Sequence, residues 1–139
     1  MNALIKQAAI AETKNIMSKA IKRFAQELGS RIPENQLTIR LSEEGDVEFN
    51  RCFLYKEVEK LTFNQVLGVK VDIRGREGLA APFMQKSILR LAEEEGIENV
   101  ENIAIYCFTI DEKAKKVLMY AYNGSEKLKQ ITWDYLFDE

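Results

Sequence analysis

Arg74-Gly75-Arg76-Glu77-Gly78 is the stretch of this 139-residue chain whose residue types most directly suggest ligand chemistry. Two guanidinium groups and two glycines fall just before a segment with helical spacing. Free backbone N–H groups and the helix dipole favour negative charge at such a point, so Arg74, Gly75, Arg76 and Gly78 are candidates to bind a small anionic ligand such as a nucleotide. The loop lacks the Gly-Lys-Ser/Thr ending of a Walker A sequence and does not match GxGxxG. The plainer reading is an exposed turn whose arginines are solvated or paired with Glu77.

The chain has no histidine, which removes the commonest general base and the commonest transition-metal ligand together. Ser-His-Asp and Cys-His hydrolysis, His-Glu zinc proteolysis and the His-containing zinc deaminase site are therefore excluded. Cys52 and Cys107 each sit inside an apolar, strand-like run and belong to no CxxC pair, so they read as small core residues. Glu43, Glu44 and Asp46 fall in a turn, and Glu93, Glu94, Glu95, Glu98 and Glu101 gather around a helix end. Both groups read as solvated faces, the second also as an acidic patch for a partner. No metal, cofactor or catalytic residue is expected, and the balance leans away from an enzyme.

Charge says little about partners: 20 Lys and Arg stand against 22 Asp and Glu, a formal net of -2. The lysines of the first helix are spread around its polar side with no aromatic residues between them, so nucleic acid is not expected as a partner. The last residues, Trp133-Asp134-Tyr135-Leu136-Phe137-Asp138-Glu139, interleave aromatics with acids. Trp133, Tyr135 and Phe137 are thus candidate anchors for a protein partner, against a reading in which Trp133 and Leu136 close the core.

These residues need a scaffold, and the hydrophobic periodicity supplies one. Ala9, Ile16, Met17, Ala20, Ile21, Phe24 and Leu28 form a stripe at helical spacing, with Gly29 placed to cap the helix and Pro33 to stop it. At 1.5 Å per residue that helix is roughly 40 Å long, against about 28 Å for twice the expected radius of gyration. Its excess length and Phe24 point to self-association. Leu37 to Leu41 and Val47 to Phe53 alternate as a β-hairpin. Residues 55–68 fit neither helix nor strand uniquely, although Thr62-Phe63-Asn64-Gln65 has capping-box spacing. Val69 to Arg74 reads as a further strand. A second helix is expected from about Ala81 to Glu95, with Pro82 in its first turn and Gly96 as cap. Strands at Ile103 to Ile110, Val117 to Tyr122 and Lys127 to Thr132 follow, with Asn123-Gly124 as a hairpin turn. No internal repeat is legible.

The expected fold is a single α+β domain over residues 1–139. A long N-terminal helix and a central helix pack on a mainly antiparallel sheet of about five or six strands. No run approaches 18 apolar residues and the start of the chain carries no leader pattern, so a soluble, cytoplasmic protein without membrane contact is expected. The function that fits is a non-enzymatic, regulatory or inhibitory protein-interaction module acting as a homodimer or other homo-oligomer. The alternative is a binder of a small anionic ligand through the Arg74 to Gly78 loop.

Overall fold

The computed structural model describes residues 3–31, 35–62, 65–66, 77–111 and 116–137. The apolar stripe of the first segment makes helix α1 (Ala3–Arg31), in which Met17, Ala20, Ile21 and Ala25 are buried and Phe24 and Leu28 pack partly against the core. The helix runs through Gly29 instead of ending there. A glycine inside a helix costs only about 1 kcal/mol, too little to stop one anchored along its preceding turns.

A six-stranded sheet carries the domain. Its strands are β1 (Asn35–Leu41), β2 (Val47–Phe53), β3 (Lys56–Leu61), β4 (Ile103–Asp111), β5 (Lys116–Asn123) and β6 (Glu126–Ile131), in the order β3-β2-β1-β4-β5-β6. Every neighbouring pair is antiparallel. Helix α2 (Glu77–Glu94) separates the two meanders and a short helix α3 (Trp133–Leu136) follows β6. Successive side chains alternate across a strand. Leu37, Ile39, Leu41, Val47, Phe49, Leu61, Ile103, Ile105, Cys107, Val117, Met119, Ala121 and Ile131 therefore all face one core, which they share with Met84, Ile88, Leu91 and Ala92 of α2 and Leu136 of α3. Burying each large aliphatic or phenyl group contributes roughly 1.5–3 kcal/mol. All the described helices thus belong to one face of the sheet.

The two meanders are structural counterparts. Val47, Phe49, Leu61 and Thr62 have their equivalents 70 residues later in Val117, Met119, Ile131 and Thr132. In β3 the extra, unpaired residue of a bulge is Val58, and in β6 it is Leu128, the same position of the strand. Thr62 then opens a helical turn through a reciprocal capping box, its Oγ1 accepting from Gln65 N at 3.1 Å while Gln65 Oε1 accepts from Thr62 N at 2.7 Å. Thr132 caps α3 the same way, accepting from Tyr135 N at 3.1 Å. At the centre Leu37 pairs with Cys107, Ile39 with Ile105 and Thr38 with Tyr106, so the register is symmetric about the Thr38–Tyr106 pair. The repeat missing from the sequence is present in the fold, as two helix-plus-three-strand units.

Several boundaries differ from expectation. Residues 56–61, which fit neither period, form β3. Helix α2 starts at Glu77, which moves Pro82 to its sixth residue, where it removes the N–H that would reach Gly78. It ends as expected at Gly96, with φ +67°. Gly96 N donates to Glu93 O at 3.2 Å and Ile97 N to Ala92 O at 2.8 Å, the two bonds of a Schellman ending. The last hairpin turns on Gly124 and Ser125, because Asn123 still pairs with Glu126. The strand expected over residues 69–74 lies outside the described residues.

The tail is docked by polar contacts as well as by Leu136 and Phe137. Tyr135 donates through its hydroxyl to Glu94 Oε2 at 3.0 Å and lies under Arg90, 4.4 Å from the ring centre, and Lys129, 4.8 Å away. Its carbonyl accepts from Ser87 Oγ at 2.9 Å, and Lys129 donates to Glu94 at 3.1 Å. Hydrogen bonds from Lys129 and then Tyr135 lower the Glu94 pKa from its ordinary 4.5, and the bond to Glu94 raises that of Lys129 from 10.5. The Glu94 contribution to stability is full above 4.5 and lost as pH falls through its lowered folded value. The Lys129 contribution is full below 10.5 and lost as pH rises through its raised one. Trp133 fluorescence should therefore stay constant between these limits and shift on either side of them, and Glu94→Gln should remove the acid-side change while leaving the fold intact.

Candidate functional site

Alternation that fills the core sends the other residues of each strand to the opposite face, which none of the described helices covers. On that face the two structural repeats diverge. The N-terminal half presents Gln36, Thr38, Arg40, Glu48, Asn50 and Cys52, whereas the C-terminal half presents Ala104, Tyr106, Phe108, Leu118, Tyr120 and Tyr122. Most central core positions of the two halves are apolar in both, as at Leu37 and Ile105, Val47 and Val117, Phe49 and Met119, and Leu61 and Ile131, so the fold dictates those residues. It does not dictate a polar half beside an aromatic one.

The rings of the aromatic half pack on each other. Tyr106 meets Tyr122 edge to face at 5.1 Å and Phe108 at 6.2 Å, and Phe108 meets Tyr120 at 6.0 Å. A fifth ring arrives from outside the strands: Tyr55, in the turn between β2 and β3, lies 5.5 Å from Tyr106, 6.1 Å from Tyr122 and 6.2 Å from Phe108. Its backbone is strained to get there. Leu54 and Tyr55 have φ of 51° and 68°, the left-handed region that a type I′ hairpin turn requires at both central positions and that Asn-Gly normally fills. A residue with a Cβ loses about 1–2 kcal/mol in that region. The counterpart turn between β5 and β6 is built with Gly124 at φ +60°. The same architecture is thus made without strain elsewhere in the chain, and the bulky pair at 54 and 55 serves something other than the turn.

Beside Tyr55 lies a cleft of about 770 Å³, lined by Arg40, Glu57, Glu101, Asn102, Ala104, Tyr106, Tyr122, Gly124 and Ser125. Ala104 explains the hollow. It pairs with Arg40 on one side and with Tyr122 on the other, so a single methyl group occupies a row flanked by two long side chains. The rim is tied down where Gly124 N donates to Asn102 O at 3.0 Å. Arg40 is committed internally: Nη1 donates to the Glu57 carboxylate, Nη2 donates to the Glu101 carbonyl at 2.8 Å, and Nε is buried without a partner. It braces the wall, and its charge is balanced by Glu57.

Acid–base and thiol chemistry are poorly served here. Burial, then the proximity of Cys52 and Glu57, raises the Tyr106 pKa. Burial likewise raises that of Cys52, against the opposing hydrogen bond with Thr38. On the helix side, burial pushes the Cys107 thiol up to about 12. Both cysteines are free and buried, the environment in which thiols are inert. Among the described residues no three Cys, Asp or Glu side chains converge as metal ligands.

The candidate ligand-binding and anchor residues read from the sequence are placed as follows. Arg74, Gly75 and Arg76 are outside the described residues, and Gly78 is the second residue of α2. Phe24, Trp133 and Tyr135 are half-buried against the core and Phe137 is buried within it. Phe24, Trp133, Tyr135 and Phe137 do not line the cleft. Of the lining residues the sequence marks only Glu101, as part of the acidic group after the second helix; Arg40, Tyr55, Glu57, Ala104, Tyr106 and Tyr122 carry no such mark. One signal does mark part of the set: in β4 and β5 the aromatic residues 106, 108, 120 and 122 occupy one parity and the aliphatic residues 103, 105, 117 and 119 the other. Comparison with protein-family models, curated proteins and solved structures finds no match for the chain. No described helix is long and apolar enough to cross a membrane.

If the Leu54-Tyr55 turn is held against its own preference, relieving it must stabilise the fold. Leu54 is more than half exposed, so little packing is lost when it is replaced. Leu54→Asn is expected to raise the urea-unfolding free energy by up to about 1 kcal/mol, with an unchanged m-value.

Proposed function

We propose that the protein is a non-catalytic binding module that docks a protein partner on the face of its sheet that none of the described helices covers. The observation that carries this reading is the strained Leu54-Tyr55 turn, which brings an exposed ring over an aromatic array beside an open cleft, while the counterpart turn of the second repeat is relaxed. Strain of this kind collects at functional positions. Leu54, more than half exposed, adds apolar surface at the same turn.

The sheet edges are poor alternatives. Strand β3 carries Lys56, Glu57, Glu59 and Lys60, and β6 carries Glu126, Lys127 and Lys129, each strand with a bulge. Charges and bulges are the features that discourage added strands. A partner therefore meets a face. Selection of a random peptide library on the folded protein is the direct test. Selected peptides should perturb backbone NMR signals of β1, β4 and β5 around Ala104 and bind about tenfold less tightly to Ala104→Trp, which fills the floor of the cleft. Perturbation confined to α1 or to the tail would overturn the reading.

Self-association through α1 belongs to the same proposal. It is supported by the 29-residue helix, about 43 Å at 1.5 Å per residue, whose first turns carry Leu4, Ile5, Ala8, Ala9 and Ile10. Light scattering at micromolar concentration should report at least a dimer, and a monomer mass would remove it.

A further inference from the structure

We propose that the docked segment is basic, and that a lysine or arginine side chain of the partner enters the cleft over Ala104. This rests on the docking reading above and narrows it to one chemistry. The first argument is an elimination. The cleft contains an arginine, which ordinarily suggests an anionic ligand, but the Arg40 guanidinium is ion-paired with Glu57, donates also to the Glu101 carbonyl, and has its Nε closed off from solvent. The one positive charge of the lining is thus already balanced, and a phosphate or carboxylate meets no uncompensated cation among the lining residues.

The second argument is what remains. With Arg40 balanced by Glu57, the uncompensated charge among the lining residues is the exposed carboxylate of Glu101 at the rim. The wall facing it is made of tyrosine rings, whose faces carry negative quadrupole charge and attract cations, more strongly where water is excluded. The remaining polar lining groups, the Asn102 amide and the hydroxyls of Ser125, Tyr106 and Tyr122, all include an acceptor oxygen. An ammonium or guanidinium group can donate to these oxygens and meets the Glu101 charge, and its hydrocarbon stem suits a floor made of a methyl group.

The third argument is a precedent on the same face. Lys127 of β6 places its ammonium 4.1 Å from the centre of the Tyr120 ring, so this aromatic array already holds one cation from its own chain. Tyr122, which pairs with Lys127 in the sheet, and Tyr55 and Tyr106 beside it have no cation over them among the described residues. These rings line the cleft. The chain's own lysine thus fills the neighbouring position, and a second cation supplied from outside fills this one.

The test is an NMR titration with blocked tripeptides, acetyl-Gly-X-Gly-amide, in which X is Arg, Lys, Gln, Glu or Trp, with inorganic phosphate in parallel. The Arg or Lys peptide should shift the amides of Glu101, Ala104 and Tyr122, with the Gln and Glu peptides weaker. Glu101→Lys, at an exposed position, should weaken the cationic peptide roughly fivefold, and added salt should weaken it too. Ala104→Trp should abolish the shifts, and Ala104→Ser, which keeps the hollow, should preserve them. If the Trp peptide alone binds at Ala104, the cationic inference falls and the docking reading stands. Equal binding of the Gln and Arg peptides, saturation by the Glu peptide or phosphate, or indifference to Glu101→Lys also overturns the inference. If no peptide perturbs this face, both readings fall.

Discussion

Only the pairing of β1 with β4 joins the two meanders within the sheet, and the remaining architecture presupposes it. Within each half the strands are linked by short turns, and they pair at little entropic expense. The central pairing brings together residues more than 60 positions apart, Leu37 with Cys107 and Ile39 with Ile105. Closing so long a loop is unfavourable and is offset by the apolar surface buried when the joined sheet receives α1 and α2 on one face. Helix α1 lies against β1, β4 and β5, and α2 against β1 and β2, so each helix spans elements of both repeats or abuts the central strand. The seam and the helices stabilise each other.

That arrangement explains why one face is constrained and the other is not. The central helix-side positions of the two repeats stay apolar because they meet in one core. The opposite positions are free of that demand, and there the halves have become different surfaces, one polar and braced by Arg40, one aromatic. The cleft lies where the two meet, and its hollow exists because Ala104 is small beside Arg40 and Tyr122. The site is thus a product of the seam: neither repeat alone brings Arg40, Ala104 and Tyr122 into one row.

Much of the scaffold was legible in the sequence for simple reasons. The hairpin from Leu37 to Phe53 alternates cleanly because one side of it faces the core, and Gly96 announces its helix end because the Schellman geometry needs a positive φ. Strand β3 was not legible, since all of its residues except Leu61 are exposed and the bulge at Val58 breaks the period of two. The repeat was hidden because its halves share alternation and few identities; Phe53-Leu54-Tyr55-Lys56 and Asn123-Gly124-Ser125-Glu126 build corresponding hairpin turns with no residue in common. The cleft was hidden for a different reason. Its residues come from four strands and three connections, and nothing in the local pattern tells that Tyr55 folds back across the sheet or that the Arg40 charge is already used.

The central position of β1 has a consequence for synthesis. In the finished domain both of its edges are paired, but while only the first repeat has been made, the edge that will meet β4 has no strand beside it. About 40 further residues must be added after Leu61 before Ile103 and Ile105 exist, which at roughly 5–20 residues per second is a delay of about 2–8 s. Through that interval the nascent first repeat offers an open ladder next to Leu37 and Ile39, the kind of edge that recruits foreign strands. Arg40 and Glu57 belong to this first repeat, and their ion pair gives its open face polar groups before the tyrosines of the second arrive. The protein is thus most exposed to misassociation on the ribosome, and its dependence on chaperones should be concentrated in those seconds.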